Sequence, residues 1–201
     1  MIDHDYDDID PSRKLNLYNQ NINNTNIYSK VKLYPTIHQI LKLSLGDNNI
    51  GDQGVLILLK CLESNNIITH LTMESNNISC QGCSAISRWL SHNNTLKHLG
   101  LGGNQIKDEG CSQLGKSLSV NSCLQVLVLC FNQIGDPGFI DLCQGLTNNK
   151  NLNVAIIWDN PISSNGYEFL EKMLQEKLFE KTGDGGNTAL GNGDRVLKDS
   201  L

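Results

Sequence analysis

Apolar and polar positions alternate in short bursts that return at a fixed interval. Leu43 and Leu45 flank Ser44, then Asn48, Ile50 and Gly54 follow in a set order. The phrase recurs as Leu71, Met73, Asn76, Ile78 and Gly82, and again as Leu99, Leu101, Asn104, Ile106 and Gly110. Two further copies are Leu127, Leu129, Asn132, Ile134 and Gly138, and Ala155, Ile157, Asn160, Ile162 and Gly166. Asparagines and glycines both advance by 28 residues each time, without a slip. One unit upstream, Leu15, Leu17 and Ile22 keep the pattern, with Gln20 at the asparagine position and Asn26 at the glycine position. Such self-similarity marks a solenoid, in which each unit buries its apolar face only against its neighbours.

Each part of the phrase has a physical reading. The leucine pair, two residues apart, predicts a short strand with one row of side chains inside and the other outside. The asparagines Asn48, Asn76, Asn104, Asn132 and Asn160 follow where the chain turns inward. Their amides are suited to bonding the buried backbone of their own and the neighbouring turn, as a ladder through the stack. A helix is then expected, capped by Asp52, Cys80, Asp108, Asp136 or Ser164, with Pro137 at a first helical position. Apolar residues four and eight beyond each glycine, from Leu58 and Leu62 to Leu170 and Leu174, give one buried helical face. Asn65, Asn93, Asn121 and Asn149 close four of the helices.

The expected fold class is therefore α/β, a leucine-rich solenoid with a parallel concave sheet and convex helices. One degenerate and five full repeats span residues 12–178. An acidic mobile arm (1–11) precedes them, and a Gly- and Asn-rich disordered tail (179–201) follows.

The phrase Leu-x-x-Leu-x-Leu-x-x-Asn-x-Ile-x-x-x-Gly, followed by a helix, resembles the ribonuclease-inhibitor type of leucine-rich repeat. That family includes ribonuclease inhibitor, the sensing repeats of NLR immune receptors and the Ran GTPase-activating proteins. Matching positions run through nearly the whole chain except both ends. The resemblance implies a right-handed horseshoe with a protein-binding concave surface, and it names no partner.

Composition narrows the function classes. The 201 residues carry a formal net charge of −5, which does not support a nucleic-acid footprint. No stretch approaches the roughly 20 apolar residues of a membrane span. The acidic beginning, Asp3 to Asp8, is the opposite of a secretory signal. Seven cysteines scattered through apolar segments fit a reducing compartment, the cytoplasm or nucleus.

The register assigns outward positions one, two, four and six residues before each asparagine. They are Lys42, Ser44, Gly46 and Asp47; His70, Thr72, Glu74 and Ser75; His98, Gly100, Gly102 and Gly103. The fourth repeat gives Val126, Val128, Cys130 and Phe131, and the fifth Val154, Ile156, Trp158 and Asp159. The face thus runs from polar or bare to apolar. Val126, Val128, Phe131, Val154, Ile156 and Trp158 are the expected anchors for a protein partner, with Lys42, His70, Glu74 and His98 setting specificity.

Other chemistry is weakly signalled. His70, His98 and Glu74 share a face, but a zinc site wants three or four defined ligands, so solvated side chains are expected and no metal. Cys80 and Cys83 form a single pair without a second; Cys83 and Cys111 share a slot with Val55 and Phe139, which indicates packing. No nucleophile elbow or P-loop occurs, so no enzyme and no cofactor are expected. The alternative function is regulation of a small GTPase. It would need an arginine at the rim, and Arg13, Arg88 and Arg195 match no such position. The final strand has no evident cover in the sequence, which leaves self-association through its edge open. Asp199-Ser200-Leu201 is a faint match to a C-terminal peptide ligand.

Overall fold

The 28-residue period becomes a sheet in which every strand repeats the one before. A computed structural model describes residues 10–34, 37–182 and 196–197. Seven parallel strands lie side by side in chain order: β1 (Lys14–Asn16), β2 (Lys42–Ser44), β3 (His70–Thr72), β4 (His98–Gly100), β5 (Val126–Val128), β6 (Val154–Ile156) and β7 (Val196–Leu197). The register advances one repeat per strand, so that Leu15, Leu43, Leu71, Leu99, Leu127, Ala155 and Leu197 stand in one row.

Between the strands run α1 (Ile27–Val31), α2 (Gly51–Leu62), α3 (Cys80–Leu90), α4 (Lys107–Leu118), α5 (Asp136–Gly145) and α6 (Ser164–Thr182). Each helix from α1 to α5 packs on its successor, forming a second layer behind the sheet. This is the α/β leucine-rich-repeat solenoid. Its core is the ordered stack that the phrase prescribes. Leu43, Leu71, Leu99 and Leu127 in the strands, Ile50, Ile78, Ile106 and Ile134 after the turns, and Leu58, Ile86, Leu114 and Leu142 in the helices are all buried.

Leu174 breaks the helical pattern and is exposed, because α6 is the last helix and packs on α5 with no described helix beyond it. All seven cysteines are free thiols. Burial pushes the Cys83 and Cys143 thiols up to about 12, as expected of sulfur used as packing. Among the described residues, no helix is long and apolar enough to cross a membrane.

The helix caps differ from expectation. Asp52 and Asp108 lie one residue inside helices that begin at Gly51 and Lys107, and Asp136 is the first residue of α5. Their carboxylates cap the following repeat instead. Asp52 Oδ1 accepts from the backbone N–H groups of Ser79 (2.8 Å) and Gly82 (3.0 Å). Asp108 Oδ1 does the same for Gly135 (2.7 Å) and Gly138 (3.2 Å). Asp136 receives the N–H of Ser163 at 2.7 Å and also its hydroxyl. The opening turn of one helix lies beside the first turn of its predecessor, so the nearest carboxylate belongs to the neighbour, and it satisfies N–H groups that lack intrahelical partners. Cys80 is likewise the first residue of α3, and Ser79 takes the cap with Gln81 N–H at 3.1 Å.

Most of the expected arm and tail lie outside the described residues. A few of their residues are described. Asp10 caps a short 3-10 turn, Pro11–Arg13, through Ser12 N–H. Helix α6 runs on to Thr182, and β7 pairs with β6, Val154 opposite Val196 and Ala155 opposite Leu197. The edge of β6 is thus partly covered.

Candidate functional site

The concave surface is shaped by what happens at the end of each strand. Asn104 shows the unit. Its amide donates to Leu101 O (2.9 Å) and, in the preceding repeat, to Met73 O (3.0 Å). Its oxygen accepts the N–H groups of Asn76 and Ile78, both at 3.0 Å. Asn76 and Asn132 make the same kind of bonds from fully buried sites. Asn48 and Asn160 do so from the half-buried ends of the stack.

Bending the chain into the asparagine requires left-handed backbone at the residue before it. Asp47, Ser75, Gly103, Phe131 and Asp159 all have φ between +52° and +66°. Asp, Ser and Gly are ordinary choices there; phenylalanine is costly, because its Cβ crowds the backbone. Phe131 nevertheless sits there at φ +54° with half its surface exposed (52%). Its ring meets Trp158 edge-on, with centroids 4.8 Å apart. Val126, Val128, Val154 and Ile156 complete a half-buried apolar strip along β5 and β6.

The opposite end is different from the reading of the sequence. Lys42 and His70 were expected on the accessible surface, but they are only 4% and 6% exposed. They stand in one row with Lys14 and His98, on strands roughly 4.8 Å apart. His70 stacks on His98 with centroids 5.5 Å apart, and its Nδ1 bonds the Thr69 hydroxyl at 2.8 Å. The pair is a packed feature; among the described residues no group of histidines, cysteines and acids is arranged to hold a metal.

Glu74 lies between these two ends. Its carboxyl does not rise into solvent but lies low over its neighbours' glycines. A Cβ at Gly100 would collide with Glu74 Oε1 and sit 2.9 Å from Cδ. A Cβ at Gly46 would be 3.4 Å from Oε2 and 3.0 Å from Cδ2 of Tyr18. Burial raises the Glu74 carboxyl above the usual carboxylate range. Tyr18, half exposed at the same row position in the degenerate repeat, escaped notice in the sequence because that repeat lacks the asparagine that marks the register.

A family model described as Leucine Rich repeat matches residues 39–58, 92–115 and 120–143. These matches agree with the leucine-rich-repeat solenoid seen in the fold. Among solved structures it is similar to one described as leiomodin-1 actin-binding site 2. The TM-score is 0.54 at 15% identity, over 87% of each chain. It is also similar to the tropomodulin C-terminal domain of Caenorhabditis elegans, with TM-score 0.55 at 14% identity over 81% of this chain and 100% of that one. At such identities the likeness is one of fold. No curated protein matches the chain by sequence.

Proposed function

We propose that the chain is a protein-binding module that holds its partner on the concave face, anchored by Phe131 and Trp158 and their apolar neighbours. The observation that carries this reading is Phe131 itself. A bulky aromatic is kept in left-handed backbone, where other repeats use Asp or Ser, and it is half exposed. Strain of this kind persists where it serves a purpose other than stability. Exposed aromatic clusters with flanking aliphatic residues are the usual energetic centres of protein interfaces. The sheet spans roughly 20–25 Å across its five full repeats, which accommodates a helix or loop of a partner.

The module acts by holding rather than by turnover, in a reducing compartment suited to its seven free thiols. Regulation of a small GTPase would call for an arginine offered at the rim. Arg13 Nε instead bonds Gln39 O, Arg88 bonds Ser84 within α3, and Arg195 lies outside the described residues.

Phe131→Asp tests the reading without threatening the fold, because Asp47 and Asp159 already occupy the equivalent left-handed position. Proteins captured from native lysate by the wild type should be lost with this variant. Capture of the same set by both would remove the apolar strip from the binding surface.

A further inference from the structure

The apolar strip accounts for one end of the concave face but not for the carboxylate at its centre. Glu74 crosses a floor with no side chains. Gly100 and Gly46 leave room for its two carboxyl oxygens, and a Cβ at Gly102 would stand 3.7 Å from its Cγ. An exposed strand position offers a glutamate an easy route to water, yet this one is half-buried and desolvated. Among the described residues no cation pairs with the carboxyl. A carboxylate taken partly out of water without a counter-charge is unfavourable, and no described residue makes use of it.

The walls beside it are suited to a cation. On one side the Tyr18 ring shares the space above Gly46, its Cδ2 and Cε2 lying 3.0 and 3.2 Å from the same Cβ position. Aromatic rings attract ammonium and guanidinium groups. On the other side Cys130 Sγ closes over Gly102, leading to Phe131 and Trp158. Exposed Asp47 and Asp159 on the rim add negative potential. Lys14 and Lys42 lie four residues back along the strands, roughly 13 Å away.

We infer that the partner segment carries a lysine or arginine that descends over Gly46 and Gly100 to pair with Glu74, next to an apolar residue that packs on Phe131 and Trp158. This rests on the reading of the concave face as the binding surface. It specifies the occupant: a basic–apolar peptide segment rather than an acidic or wholly apolar one.

The test is selection of a random peptide library displayed on phage against the full chain. Enriched sequences should pair a lysine or arginine with a nearby aromatic or aliphatic residue. For a synthetic peptide from that set, Glu74→Gln should weaken binding about tenfold or more, the usual worth of a charge-assisted bond. Gly100→Ala, which retains the charge but pushes the flexible carboxyl aside, should weaken it as well. Replacing the peptide's basic residue by glutamine should cost affinity for the wild type and little for Glu74→Gln. Peptides that lack a basic residue, or that ignore Glu74→Gln yet are lost with Phe131→Asp, overturn this inference and leave the apolar anchor standing. Peptides indifferent to both substitutions, or no enrichment at all, overturn both.

Discussion

Phe131 and Trp158 meet edge-on, 78° between their planes, across neighbouring repeats at the apolar end of the sheet. The contact joins a residue under backbone strain to one that is half-buried, and the two effects oppose each other in stability. Phe131→Asn relieves left-handed strain of about 1 kcal/mol and loses an aromatic pair worth about 0.5–1.5 kcal/mol. The urea midpoint should therefore move by less than about 1 kcal/mol equivalent. A loss of about 3 kcal/mol, the cost of truncating a core aromatic, would show that Phe131 is structural.

The asparagine ladder predicts the reverse behaviour. Asn104→Leu preserves volume but strips partners from Leu101 O, Met73 O, Asn76 N–H and Ile78 N–H in a buried turn. At about 1–3 kcal/mol for each buried group left unsatisfied, the loss is a large share of a domain's stability, typically about 5–15 kcal/mol in total. Denaturant unfolding should show Asn104→Leu to be far more damaging than the same change at Asn160, which lies half-buried at the end of the ladder. Equal effects at the two sites would contradict a ladder whose strength depends on burial.

Glu74 gives a pH signature. Its carboxyl titrates above the usual range because burial disfavours the charged form. Folding then favours the protonated acid, so this contribution to stability is complete below the ordinary glutamate range and is lost as pH rises through the higher folded value. Glu74→Gln cannot ionise. It should melt at a higher temperature than the wild type at neutral pH, and the two curves should converge on acidification. A variant less stable at neutral pH would mean that the charged carboxylate is used within the fold.

Strand β7 predicts a change of state. Deleting the chain from Val196 onward removes the pairing with Val154 and Ala155 and bares the edge of β6, which is then free to pair with another copy. Light scattering should show concentration-dependent association of the shortened chain and not of the full one. A shortened chain that stays monomeric would mean that β7 does not protect the edge.

The strands, turns, core rows and helical faces are legible in the sequence, because a strict period leaves each residue type one environment. Lys42 and His70 hold outward positions yet are buried, because alternation gives the side of a strand and not what lies against that side. The helix caps were misread because Asp52, Asp108 and Asp136 lie near their own helices in sequence yet nearer to the next repeat in space. Glu74 was visible as an outward acid. Its low posture depends on glycines in two other repeats, a relation that appears only when strands 28 residues apart become adjacent.

The joints between repeats are made from both sides. An asparagine amide reaches back to the preceding backbone, and at three joints an aspartate (Asp52, Asp108 or Asp136) reaches forward to the next repeat. No repeat is whole on its own, and each acquires its last hydrogen bonds only when its successor arrives. During synthesis, order must therefore trail the ribosome by about one repeat, and the concave strip at Phe131 can assemble only after Trp158 has emerged.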